Sequence, residues 1–347
     1  MSPAARRLPA EWAPQSGVQL TWPRPDSDFG DDLAAVEPVF AAIAARISHY
    51  EKVIIVCADA AHRAHVSELI GKARGRLGKI VFPLAPANDV WARDHGPITV
   101  LDAGAPRLLD FRFNGWGGKY PADLDDRLTR TLHVEGIYGP TPLEAVDFVL
   151  EGGSIDSDGE GTLLTTTQCL LTPTRNPGLA RADIESRLRV TFGIERVLWL
   201  EHGALAGDDT DSHIDMLARF CDARTIAYTA CDVPDDEHFD ELGRMAAELA
   251  ALRRADGEPY RLVPLPLPQA KRNRDGERLP ASYANFLVIN GAVLVPVYND
   301  PADDVALERL RECFPGRDIV EIPCLPLIAQ FGSLHCATMQ LPEGVLT

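Results

Sequence analysis

The sequence predicts an α/β protein built from a repeated unit, and three observations predict it. Helical stretches are each followed by a short β-type run: 180–190 by Arg196–Leu200, 235–254 by 260–265, and 304–314 by 318–322. Each helix and strand is succeeded by a loop and further strand-like sequence, at 98–101, 213–220, 285–297 and 335–341. The starts of these later strands carry the polar residues Asp94, Glu151, His213, Asn285 and Cys336, about 50–70 residues apart. That period is too long for the common solenoids and fits stacked or radial ββα-type units, in one domain spanning 1–347. A radial array carries one end of every strand set to a common axis, so residues distant in the chain meet there.

The elements follow in order. Residues 8–30 read as a short strand and a loop, with Trp12 and Trp22 among prolines, and 32–50 show helical spacing with a proline irregularity near Pro38. A buried-type strand at 52–57, a helix at 62–73 and a strand at 79–84 come next. The 146–167 region adds one more unit, with glycine-rich 156–161 as its hairpin turn. Residues 271–278 read as an exposed charged loop, and no Pro/Gly/Ser-rich linker divides the chain.

The 347 residues carry 46% hydrophobic and 24% charged side chains, ordinary globular values. A net charge of −17 argues against a nucleic-acid partner, which needs a basic face, and is compatible with a cationic ligand. The start, with Arg6 and Arg7 and no apolar core behind them, is unlike a secretory signal. No apolar run approaches the roughly 18–20 residues of a membrane span. Seven cysteines form no Cys-x-x-Cys pair, which fits a reduced, cytoplasmic chain without a zinc knuckle.

Cys336 lies just after a glycine-containing turn, as either a small buried hydrophobe or a nucleophile. On a strand, His213 and Asp215 would project to the same face. The acidic series Asp208, Asp209, Asp211 and Asp215 with His213 offers a hard-cation site, but no second histidine stands at ligand spacing and no metal is expected. In Asn88-Asp-Val-Trp-Ala-Arg-Asp94, Arg93 is either an ion-pair partner of Asp89 and Asp94, or Asp94 and Trp91 together bind a flat cation. The glycine-rich loop 114–120, with Trp116, lacks phosphate-loop spacing and reads as a shaped pocket wall. Glu151 precedes Gly152 and Gly153, a turn or a tight backbone approach.

Six motifs stand in one order: Asn-Asp-x-Trp-x-Arg-Asp-x-Gly-Pro, Phe-Asn-x-Trp-Gly-Gly-Lys-Tyr, Glu-Gly-Gly, Asp-x-His-Ile-Asp, Pro-Ala-Ser-Tyr-x-Asn-Phe and Leu-His-Cys-x-Thr-x-Gln. With the opening Leu-Pro-Ala-Glu-Trp, the series resembles the agmatine deiminase and bacterial-type peptidylarginine deiminase family over nearly the whole chain. The resemblance implies a five-bladed α/β propeller with pseudo-fivefold symmetry, the pentein fold. It implies hydrolysis of a guanidinium to a ureido group with release of ammonia, without cofactor, and a homodimer. It makes Cys336 the nucleophile and His213 the general acid/base. Glu151 would orient His213 and bind a guanidinium nitrogen, and Asp94 and Asp215 would clamp the guanidinium. Trp91 and Trp116 would line the alkyl chain of the substrate, with Asn285 a further contact. Agmatine is the favoured small cationic substrate, with arginine, peptidyl-arginine or ligand binding without turnover as the other readings. An amidase acting on a neutral amide is disfavoured, because clustered carboxylates repel a developing oxyanion. The segment Ala329-Gln-Phe-Gly-Ser-Leu-His-Cys336 departs from the family's usual glycine-rich loop beside the cavity.

Overall fold

The computed structural model describes residues 6–346; the first five residues, part of the start read above as unlike a secretory signal, and Thr347 lie outside the described residues. The fold is mixed α/β, and its main strands fall into five separate sheets of like order. In the first, Ile98–Asp102 runs antiparallel to Ala105–Arg112, which lies parallel to Leu143–Val149. The pattern recurs in Ile155–Ser157, Thr162–Thr166 and Arg196–Leu200. It recurs again in Ala218–Asp222, Thr225–Ala230 and Arg261–Pro266, and in Leu287–Ile289, Ala292–Val297 and Asp318–Pro323. Both ends of the chain build the fifth sheet. Met339–Pro342 pairs antiparallel with Gln15–Thr21, which is parallel to Lys52–Val56, and Ile80–Val81 adds an edge.

Local chemistry explains the pattern. Antiparallel neighbours are joined by tight turns, as at Asn290-Gly291, where Gly291 takes φ 76°, a conformation that costs glycine little. A parallel neighbour needs a crossover, and each sheet receives a helix there: Leu33–Ser48, Asp125–Val134, Arg181–Phe192, Phe239–Ala251 and Asp303–Cys313. Phe239–Ala251 shows why these helices dock, burying Leu242, Met245 and Leu249 on one stripe. Leu33–Ser48 runs through Pro38 without a break. In its second turn a proline forfeits one hydrogen bond, and the buried face of Val36, Val39, Phe40, Ile43 and Ile47 outweighs it. Residues 271–278, expected as a plain loop, form an exposed hairpin of Lys271–Arg272 with Arg278–Leu279. Among the described residues no helix is long and apolar enough to cross a membrane.

The strand starts need correcting. Asp94 lies in the one-turn helix Ala92–His95 before Ile98, and Glu151 caps Gly152–Ser154 before Ile155. His213 precedes the turn Ile214–Met216, and its strand begins only at Ala218. Asn285 follows the turn at 283–284, and Cys336 sits within a turn at 334–337, ahead of Met339. Side-chain bonds to nearby backbone favour turns here: the Thr210 hydroxyl accepts from the His213 N–H, and Ser154 Oγ donates to the Glu151 carbonyl. The apolar run that follows each polar residue hid the boundary. The same device thus precedes the first strand of all five sheets.

Candidate active site

Three of these turns converge around Gly153. Its N–H donates to Asp94 Oδ1 at 2.9 Å. A carbon attached at Gly153 would lie 2.7 Å from His213 Nδ1 and 2.8 Å from Asp94 Oδ1, closer than real side-chain contacts, and 3.1 Å from Asp215 Oδ2, tighter than most. One imidazole and two carboxylates therefore face a point that only glycine leaves clear. The φ of Gly153 is not in the left-handed region, so alanine is excluded by space alone. Gly153→Ala is expected to fold and to lose most activity, by roughly 100-fold or more, since misplacement of about 1 Å costs that much. A thermal melt beside a rate assay checks it; a variant as active as the wild type contradicts the convergence.

Asp215 connects this point to the thiol. Its Oδ2 lies 3.7 Å from Cys336 Sγ, and the Asn285 side chain approaches the sulfur through Nδ2 at 3.3 Å. Asn285 also accepts from the His335 N–H through Oδ1 at 2.8 Å, so it stands behind the sulfur and fixes its turn. The strand reasoning that put His213 and Asp215 on one face does not apply, because a single helical turn carries both.

A pocket opens from the sulfur. Cys336, Asp94, Trp91 and Trp116 line it, with Asp28, Asp89, Asp209, Tyr120 and the segment 330–332. Trp116 Nε1 donates to Asp94 Oδ2 at 2.9 Å, which takes up one carboxylate oxygen and sets the ring against the pocket. The Trp116 backbone is left-handed, φ 53°, between Gly115 at φ 66° and Gly117 at φ 86°, which is how the glycine-rich loop aims this indole inward. Trp91 packs closely on Gly332, where a Cβ would lie 2.5 Å from the ring. Phe331, in the segment that departs from the expected loop, takes φ 66° and borders the pocket.

Burial sets the charges. The Cys336 thiol is pushed well above its ordinary value by burial, then by Asp215 and Asp94. Asp94 is likewise raised well above the carboxylate range by burial and by Asp215. Burial lowers His213 to about 3, so its ring is neutral across the physiological range, and neither nitrogen has a hydrogen-bond partner. Asp215 is buried too, yet the His335 hydrogen bond and nearby imidazoles hold it below its ordinary value. Two carboxylates of one site are thus driven apart.

Glu151 sits fully buried with both oxygens on Arg175 Nε, at 2.8 and 3.0 Å, and burial raises its carboxyl in spite of that cation. Glu151, Cys169 and His213 each bring one ligand-type atom within 4.8 Å of the others, but Arg175 already occupies the carboxylate. The acidic loop expected as a hard-cation candidate is engaged elsewhere: Asp208 caps Thr210 and Ser212, Asp209 accepts from Tyr120, and Asp211 pairs with Arg175. Arg175→Met should leave Glu151 buried and unpaired, costing about 3–5 kcal/mol. A fall in melting temperature checks that, and an unchanged one contradicts it.

Sequence reasoning missed Arg175, Glu11, His335 and Arg219. Arg93 pairs with neither Asp89 nor Asp94; it reaches Gln340, the His335 carbonyl and, at 3.7 Å, Glu11. Glu11 and His335 both stood in quoted motifs, the opening Leu-Pro-Ala-Glu-Trp and the Leu-His-Cys run, but neither was given a role; Arg175 and Arg219 stood in none.

Residues 7–342 match the Porphyromonas-type peptidyl-arginine deiminase family. The chain belongs to this family. Among curated relatives, the agmatine deiminase of Stutzerimonas stutzeri is 35% identical, covering 96% of this chain and 95% of that one. Among solved structures, a Porphyromonas gingivalis member provisionally described as an arginine deiminase is 50% identical with a TM-score of 0.92, over 99% of this chain and 100% of that one. A cysteine-to-serine variant of C. jejuni agmatine deiminase with substrate bound is 34% identical with a TM-score of 0.90, over 98% and 97% of the two chains. An amidinotransferase from Microseira wollei, 11% identical with a TM-score of 0.50, shares the fold alone. Within the deiminase family the chain therefore has near relatives whose descriptions differ in the substrate named.

Proposed function

We propose that the protein hydrolyses the guanidinium C–N bond of agmatine, giving N-carbamoylputrescine and ammonia. One observation carries the choice of substrate. Apart from the thiol and the Tyr120 phenol, every ionisable side chain lining the pocket is a carboxyl group, ready to ionise beside a cation: Asp94 near the sulfur, then Asp28, Asp89 and Asp209. A substrate cationic at both ends is attracted along its length, whereas the carboxylate of free arginine would meet like charge in a buried space. Cys336 is the nucleophile in this reading, and Trp91 and Trp116 flank the alkyl chain.

Asp94 and Asp215 take the guanidinium nitrogens, which holds its carbon against the sulfur. The bound cation offsets the carboxylates that keep the thiol protonated. The Cys336 proton passes to neutral His213 as the S–C bond forms. His213 returns a proton to the departing nitrogen, the C–N bond breaks, and ammonia leaves a thiouronium on Cys336. Water then attacks that carbon and gives a proton to His213. As the S–C bond breaks, the attached hydroxyl gives up its second proton to become the ureido carbonyl; one of the two protons returns to sulfur, the other passes to solvent, and the neutral ureido product departs. Glu151, tied to Arg175, supports the His213 side of the site, and Asn285 holds the thiol in place.

Agmatine, arginine and an arginyl peptide should each be incubated with the protein, and ammonia and ureido product measured. The expected order puts agmatine first. Preference for arginine or the peptide overturns the substrate, and absence of turnover on all three overturns the hydrolase. The pocket also predicts a pH dependence. Burial raises the Asp89 carboxyl to about 7, against the Val90 N–H, with Asp28 and Asp209 adding to the rise. A bound ammonium favours its ionised form, so binding releases a proton and tightens as pH rises through 7. The agmatine KM should fall between pH 6 and 8, and Asp89→Asn should flatten that change while raising KM about 10-fold. A KM indifferent to pH in both proteins contradicts a role for Asp89.

We also infer that the five like sheets stand around a pseudo-fivefold axis as blades of one propeller domain, since the turns that begin them touch one another in series, Asp94 with Gly153, Gly153 with Asp215, and Asp215 and Asn285 with Cys336. Crystallographic superposition of the sheets on one another by successive rotations tests this. Seven cysteines free of disulfides fit a reducing compartment, and we place the enzyme in the cytoplasm, which cell fractionation tests.

A further inference from the structure

We infer that Glu11, from the segment ahead of the first strand, is a positioning residue: through the ring of His335 it holds Asp215 in the orientation that binds the guanidinium. The inference rests on the guanidine-hydrolase reading of the site. His335 Nδ1 lies 2.8 Å from Asp215 Oδ2, and Nε2 lies 2.7 Å from Glu11 Oε2, so each ring nitrogen faces a carboxylate oxygen at hydrogen-bond distance. The ring therefore joins two carboxylates that are 204 residues apart in the chain. Neither end of this link reaches solvent, with Glu11 and Asp215 side chains 5% and 0% exposed.

Every member of the link is anchored. Glu11 Oε1 accepts from the Val288 N–H at 2.7 Å, and Oε2 also accepts from Arg219 at 2.8 Å. Arg219 donates to the Phe286 carbonyl and lies 4.9 Å from the centre of that ring. The His335 backbone N–H is fixed by Asn285. Asp215 Oδ1, by contrast, is buried without a protein hydrogen-bond partner. With Oδ2 tethered to His335, Oδ1 is the oxygen left for a cation. The charged groups around the ring are Glu11 and Asp215 in contact, Arg219, Arg93 and Asp156 beyond Glu11, and the Cys336 thiol beside Asp215.

Removing the Glu11 carboxylate leaves buried His335 Nε2 without its partner, and a lost partner costs part or all of the desolvation of the group. The ring can then turn, and Asp215 loses its tether. Oδ2 becomes free to swing toward the sulfur. The segment bearing Glu11 thereby reaches the chemistry without touching the substrate pocket.

The test is a double-mutant cycle of Glu11→Gln and His335→Asn. Each single variant is expected to lose about 10–100-fold in kcat/KM, mostly through KM, the usual cost of a lost supporting partner. Agmatine binding by calorimetry in a Cys336→Ser background should weaken by the same factor. The double variant is expected to be no worse than the poorer single one, because both act through one link. Losses that multiply, or a Glu11→Gln enzyme with wild-type KM, overturn the inference. The ring nitrogens of His335 in the wild-type protein give a reading independent of folding of the variants and of any substrate. Nitrogen-15 spectra should show each ring nitrogen in a hydrogen bond to a carboxylate, and a ring nitrogen without one overturns the link. Ammonia release from agmatine by the wild type tests the hydrolase reading separately.

Discussion

Cys336→Ser is expected to release no ammonia from agmatine above about one thousandth of the wild-type rate, while still binding it. Loss of a nucleophile typically leaves only the residual catalysis that binding and electrostatics supply. The contacts that would hold the substrate, Asp94, Asp215 and the two indoles, do not depend on the sulfur. Serine keeps the size of the thiol, and Asn285 Nδ2, 3.3 Å from Sγ, can meet a hydroxyl as well. The binding constant should therefore change by less than about tenfold. Rapid-mixing ammonia assays and calorimetry check the two halves. Turnover at the wild-type rate rules out covalent catalysis by this residue, and loss of binding rules out a carboxylate clamp independent of it.

His213→Asn is expected to lose about 10²–10⁴-fold in kcat, the range for a single general acid and base. It should also be more acid-resistant. The unfolded chain takes up a proton at histidine near 6.5, while the buried ring, lowered to about 3, does not. Between those values the unfolded state binds more protons, so wild-type stability falls as pH drops below 6.5. That contribution reaches about 1.4 kcal/mol per pH unit, and the asparagine variant is free of it. Melting curves at pH 7 and pH 4.5 should show the variant gaining on the wild type in acid. An equal difference at both pH values contradicts a neutral, desolvated imidazole.

Much of this was legible in the sequence where residues of distinct chemistry stood in a fixed order. Helix-then-strand recurrence gave the mixed α/β units, and the spacing of Asp94, Glu151, His213, Asn285 and Cys336 marked equivalent points in them. Their local conformation was not legible. An apolar run after a polar residue looks like a strand from its first residue, and only the closing of a turn reveals otherwise. Arg175, Arg219 and Glu11 escaped for another reason. An isolated charged residue carries no periodicity, whether in a turn like Arg175 or within a strand like Arg219, and its burial depends on a partner 24 to 208 residues away, as for Arg175 with Glu151 and Arg219 with Glu11. Gly153 read as a tight backbone approach, but what approaches it, three site side chains at one point, exists only in the folded chain.

The measurement closest to the centre of the account is the mass of the intact protein, acid-quenched during turnover of agmatine. The account predicts a fraction heavier by one agmatine less one ammonia, with the added mass on the peptide holding Cys336 and absent from Cys336→Ser. Steady turnover with no such adduct, or an adduct on one of the other six cysteines, would contradict it.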